Sequence, residues 1–127
     1  ILAAHEPRLD GASTRLRWLL DFAKRKTAAD FARADLRLDQ HVVRVRRLFE
    51  QFDVLLLPTT AAPPPAYGAD EPANLADLTA LASLAGCPAL SLPLPGGLGL
   101  QLVGAPGSDL RLLELGGVLA SVADTGE

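Results

Sequence analysis

Apolar residues Leu16, Leu19, Leu20 and Ala23 recur at i, i+3, i+4 and i+7 after Pro7 and Gly11, the stripe of one amphipathic helix. Thr27 and Asp30 stand at capping-box spacing ahead of a longer stripe: Phe31, Ala34, Leu38, Val42, Val45, Phe49 and Phe52. That spacing predicts a helix of about 24 residues, roughly 36 Å long. Such a helix suits an element crossing a larger body. At Asp53 the period changes. Val54 to Leu57 is a continuous apolar run stopped by Pro58, which predicts a strand buried on both faces.

A Pro- and Ala-rich loop over 58–73 follows, extended through Pro63-Pro64-Pro65. Asn74 with Asp77 predicts a helix through Leu75, Leu78, Leu81 and Ala85, closed by Gly86 and Pro88. Ala89 to Leu92 and Leu98 to Val103 read as two further strands around the turn residues Gly96-Gly97. Ser108 is the expected cap of a last helix through Leu110, Leu113 and Val118. The order is helix, helix, strand, helix, strand, strand, helix. This is an α/β chain whose strands need more sheet than three segments supply.

Composition sharpens the division. The chain has 127 residues, 49% of them hydrophobic, with a formal charge of −3, which excludes disorder for most of its length. Residues 1–52 hold 11 basic and 7 acidic side chains, a net +4; residues 53–127 hold one base, Arg111, and 8 acids, a net −7. No charge occurs between Asp77 and Asp109. The glycines and prolines of that block forbid a spanning helix, so a membrane segment is not expected. There is no methionine, at position 1 included, so the chain is expected to be one part of a longer polypeptide.

Candidate chemistry is sparse. Ser13, Ser83, Ser91, Ser108 and Ser121 all lack a nucleophile-elbow setting, and Ser91 falls inside a predicted strand, where packing is the simpler role. His5 and His41 are far from any serine in sequence, and His41 borders the apolar stripe of the long helix. Lys24 and Lys26 sit at a helix end, where cations favour the dipole. No His/Cys/Asp/Glu cluster or phosphate-binding loop is present, so no metal or cofactor is expected. The single cysteine, Cys87, lies in the uncharged block, a setting that raises a thiol pKa and favours an inert thiol. Arg33, Arg37, Arg44 and Arg47 share a helical face, yet Asp30 pairs with Arg33 and Glu50 with Arg46 at helical spacing. With one Trp and one Tyr, nucleic-acid binding is not expected.

One region is distinctive. Phe52-Asp53-Val54-Leu55-Leu56-Leu57-Pro58-Thr59-Thr60 resembles the (Y/F)-D-V-L-L-x-P-T segment of amidase-signature hydrolases. Thr79 to Pro93 resembles their T-x-P-x-N-L-A-G-x-P-A-[IL]-S-[VL]-P, and Gly99 to Gly104 their G-[LV]-Q-L-[IV]-G. The matches occur in order, at the right separations. The family Asn is Ser83 here, the Pro is Leu81, and the turn between the last two strands is shortened to Gly96-Gly97-Leu98.

The resemblance implies the C-terminal part of an amidase-signature α/β sandwich, with a mixed β-sheet flanked by helices. Residues 1–127 would be the C-terminal segment of a single amidase domain, 1–52 a helical pair and 53–127 strands and helices of the core sheet. The family cleaves carboxamide C–N bonds through a Ser–cis-Ser–Lys triad that lies upstream of the part matched here. No residue of this chain takes a triad role, Ser91 included, and the segment alone is expected to be inactive. Thr59, Thr60 and Thr79 occupy positions that can face substrate; ordinary hydrogen bonding at strand and helix ends serves them equally well. Asp77 is one residue out of register with an acid that some members use, and takes no role.

The implied partners are a small-molecule amide and the missing N-terminal part of the same protein. Association between copies is also compatible, and a cytoplasmic location is expected. A truncated, non-catalytic structural or interaction module is the alternative reading. A self-contained small binding domain fits less well, because strands apolar on both faces need further layers.

Overall fold

In the computed structural model, which describes residues 11–69 and 72–124, the elements follow the expected order. They are α1 (Thr14–Lys24), α2 (Ala28–Leu48), β1 (Val54–Pro58), α3 (Ala80–Ala85), β2 (Ala89–Leu94), β3 (Leu98–Gly104) and α4 (Asp109–Asp124). The chain divides into two compact units, residues 1–37 and 38–127, with the boundary inside α2. No helix among the described residues is long and apolar enough to cross a membrane.

In the first unit, Ser13 caps α1 by accepting from the Leu16 N–H at 3.3 Å, and Leu20 is its buried residue. Trp18 and Phe22 stack with ring centroids 5.8 Å apart, and Lys26 Nζ lies 4.2 Å above the Phe22 ring. The capping box at the start of α2 forms as its spacing predicts. The Thr27 N–H donates to Asp30 Oδ2 at 2.9 Å, and the Asp30 N–H donates to Thr27 Oγ1 at 3.2 Å. Arg33 adds an ion pair to Asp30 at 2.7 Å. Together these hold the Asp30 carboxyl down at about 2, the Thr27 backbone bond contributing most.

The second unit is organised by β3, the central strand in the order β1-β3-β2, with both ladders antiparallel. Val54 lies opposite Gly104 and Pro58 opposite Leu100; Ala89 lies opposite Val103 and Leu94 opposite Leu98. The tight connection Pro95–Gly97 needs its glycines, since Gly96 and Gly97 take φ of 78° and 74°. Alternation then assigns Leu57, Thr59, Gly99, Gln101, Val103, Ala89 and Ser91 to one face. The other carries Leu56, Leu100, Leu102, Leu90 and Leu92. Against this second face packs α4, at closest approach where Gly116 meets Leu90; a Cβ on Gly116 would collide with the Leu90 Cδ2 atom.

Several local expectations are corrected. α2 is 21 residues rather than 24, ending in turns before Phe52, and none of its residues is fully buried. Residues 73–79 form turns, so α3 begins only at Ala80. The Thr79 hydroxyl donates to the Ala76 carbonyl at 3.2 Å and the Asp77 N–H to the Asn74 carbonyl, both three-residue bonds that compete with α-helical pairing. The strands are not buried on both faces: Leu56 is 59% exposed because α4 packs on β2 and β3, and Ser91 is exposed on the face away from α4. Ser108 does begin α4, its carbonyl accepting from the Leu112 N–H. Its hydroxyl, however, turns back to the Ala105 carbonyl at 2.7 Å instead of capping. Arg46 is directed not to Glu50 but to the end of α3, where its Nε and Nη2 both donate to the Ala85 carbonyl at 3.3 and 3.2 Å.

Candidate functional site

The first face of the sheet opens into a cleft of about 360 Å³ beneath α3. Its sheet side is Thr59, Ala89, Ser91 and Gln101; its helix side is Thr79, Ala82 and Ser83, with Cys87 on the connection. Each element contributes for a local reason. The Thr59 N–H donates to the Gly99 carbonyl at 2.8 Å, so the ladder runs one residue past Pro58 and turns the Thr59 side chain onto the Gln101 face. Ser91 lies directly opposite Gln101 in the β2–β3 register. Gly86, in the left-handed conformation at φ 64°, ends α3 and lets Cys87 return toward β2.

Two side chains from opposite flanks of β3 meet in this cleft. Thr59 Oγ1 and Ser91 Oγ are 2.6 Å apart, although β1 and β2 are both partners of β3 rather than of each other. Strands two positions apart are about 9.5 Å distant. The hydroxyls bridge that span over Gly99, where a Cβ would lie 2.5 Å from Thr59 Oγ1 and 3.0 Å from Ser91 Oγ.

Gln101 forms the floor of the cleft. It is 2% exposed, and neither Oε1 nor Nε2 has a hydrogen-bond partner among the described residues. An unsatisfied buried polar atom costs about 1–3 kcal/mol, so a side chain carrying two is unusual. Cys87 is the cleft's one titratable group among the described residues. Burial pushes its thiol pKa up, and the Arg46 charge opposes that shift more weakly. No histidine, lysine or carboxylate lines the cleft among the described residues, so neither hydroxyl has a base to take its proton.

Of the three threonines expected at the site, Thr59 and Thr79 are brought together and Thr60 is not. The Thr60 hydroxyl donates to the Ala62 carbonyl at 2.9 Å, and the residue lines a separate apolar groove with Leu56, Leu94 and Leu98. His41 and Asp77 share a third groove beside Val42, Val45 and Leu81. His5 lies outside the described residues. A larger groove of about 470 Å³ belongs to the first unit, where Asp30 is already engaged by its capping box and Arg33. Sequence reasoning passed over Gln101 and assigned Ser91 to packing. The available signal was that Gln101 is the one polar side chain in the strand Leu98–Gly104.

The family model described as Amidase matches residues 6–113, a span that includes every cleft residue. No curated protein matches the chain. With the match covering most of its 127 residues, the chain belongs to the amidase family.

Proposed function

We propose that this chain forms the sheet core and one wall of the substrate pocket of an amide hydrolase, the cleft under α3 being that wall. The observation that carries the reading is the convergence of Thr59 and Thr79, from separate motifs of an amidase-family chain, on one polar cleft. Their hydroxyls, with Ser91, orient a neutral substrate by hydrogen bonding. Thr60 is assigned a supporting role at the strand end, since it lines the separate groove of Leu56, Leu94 and Leu98 and not this cleft.

The nucleophile and its proton carriers come from polypeptide upstream of the matched motifs, and the 127-residue chain alone does not turn over amides. A second reading is a non-catalytic module built on the amidase fold, since the cleft wall seen here serves a binding role as well as a catalytic one. Intact-mass measurement and an amide-release assay on purified material separate the two. A polypeptide much heavier than 13.3 kDa that releases ammonia or amine supports the enzyme. A heavier polypeptide inert toward a broad amide panel supports the module. Turnover by the 127-residue chain alone overturns the assignment of the triad to another segment.

A further inference from the structure

We propose that Gln101 is the recognition group of the cleft for an amide presenting its carbonyl oxygen and an N–H side by side, namely a primary carboxamide or a lactam. The inference rests on the amide-hydrolase reading and adds a specificity element to it. The Gln101 side chain offers an acceptor, Oε1, adjacent to donors on Nε2, and both ends are without partners among the described residues. Its edge is complementary to the same edge of a second amide, so two parallel hydrogen bonds close a ring between them. A trans secondary amide points its N–H and C=O in opposite directions and makes only one such bond. A tertiary amide has no N–H to give.

The surroundings favour this ligand. The lining carries no formal charge, so a neutral amide enters more readily than the corresponding carboxylate, which would be buried without a cation. Ala82 and Ala89 line the cleft with small side chains, and the Thr59–Ser91 hydroxyl pair lines it with them. The terminal torsion of a glutamine is broad, so the amide plane turns toward the cleft without leaving its rotamer.

The test follows the side-chain amide resonances of the ¹⁵N-labelled 127-residue chain, which has three glutamines, Gln40, Gln51 and Gln101. The Gln101→Glu variant assigns the Gln101 signal by its loss. Propionamide, N-methylpropionamide and N,N-dimethylpropionamide are the probes. Propionamide is expected to move the Gln101 signal, with the N-methyl amide at least about tenfold weaker and the dimethyl amide weaker still. Backbone amide signals of the cleft strands are expected to follow the same order of probes in the wild-type chain and to lose it in the Gln101→Met variant, similar in length, while that variant keeps its circular dichroism spectrum. Equal responses to all three probes, or no response of Gln101, overturn the proposal on the wild-type chain alone, whether or not the variants fold. Amide hydrolysis by the larger polypeptide tests the underlying reading separately: a selective Gln101 with no hydrolysis would remove the enzyme and leave the recognition group.

Discussion

Thr59 Oγ1 and Ser91 Oγ lie 2.6 Å apart across the central strand, and they meet because residue 99 is glycine. A Gly99→Ala side chain would lie 2.9 Å from Thr59 Cβ as well as against both hydroxyls, with backbone ladders on either side to resist movement. The expected destabilisation is about 1–3 kcal/mol by urea unfolding. An unchanged midpoint would show that the pair does not govern packing at the cleft.

The adjacent glycines of α4 make an internal comparison. Gly116→Ala places a Cβ on Leu90 Cδ2 and is expected to destabilise, because the end of the Leu90 side chain must give up its place between sheet and helix. Gly117→Ala meets nothing within 4 Å and is expected to stabilise by about 0.5–1 kcal/mol through helix propensity. Thermal melts of the two variants should therefore move in opposite directions. Movement in the same direction would contradict the helix–sheet contact.

Acid should loosen the start of α2 through Asp30. Its carboxyl pKa is lowered from an ordinary 3.8 to about 2 in the folded chain, so the folded form binds its proton more weakly than the unfolded one. The linked stabilisation is complete above the unfolded value and is lost as pH falls from near 4 through 2. Following the Asp30 carboxyl by NMR should give a midpoint well below that of an exposed aspartate. Arg33→Ala should move it upward, and Thr27→Ala by less, because that variant removes only the hydroxyl bond and keeps the backbone N–H that contributes most; a larger move in Thr27→Ala would contradict this ranking.

Arg46 links two properties of the cleft edge. It donates twice to the Ala85 carbonyl at the end of α3, and its charge lowers the Cys87 pKa against the larger effect of burial. Cys87 is the single cysteine, so alkylation by iodoacetamide reports on it alone. Slow reaction at pH 7 is expected, and slower reaction in Arg46→Gln, because the thiolate loses a favourable charge. Faster reaction in the variant would mean that loosening of α3 outweighs the electrostatics.

The outer side of α4 carries Leu110, Leu113 and Val118, exposed by 78%, 58% and 61%. Apolar surface of this kind promotes association. The 127-residue chain is expected to self-associate with rising concentration in sedimentation velocity, and Leu113→Glu to reduce it. Concentration-independent monomer behaviour would show that this side needs no cover.

Much of this organisation is local and therefore legible from the amino acids. The Thr27–Asp30 capping box, the glycine turn at 96–97 and the order of the seven elements depend on residues a few positions apart. Spacing and turn chemistry report them directly. The amidase resemblance was legible for a related reason, since its three motifs coincide with β1, with α3 and β2, and with β3.

What spacing does not contain is the identity of the neighbour across space. The apolar run at Val54–Leu57 predicts a strand, yet whether its faces are covered depends on where α4 settles, and it packs on β2 and β3, leaving Leu56 exposed. Arg46 has an acid at helical distance but reaches Ala85, 39 residues away, because the carbonyls ending α3 lie within its fork. The sequence alone determined the elements, their order and the family, because those follow from backbone preference and local pattern. Only the tertiary structure decided that Thr59 meets Ser91, that Thr60 stands apart, and that Gln101 lies unpartnered beneath a cleft. Those outcomes depend on strand register and on the absent side chain at Gly99.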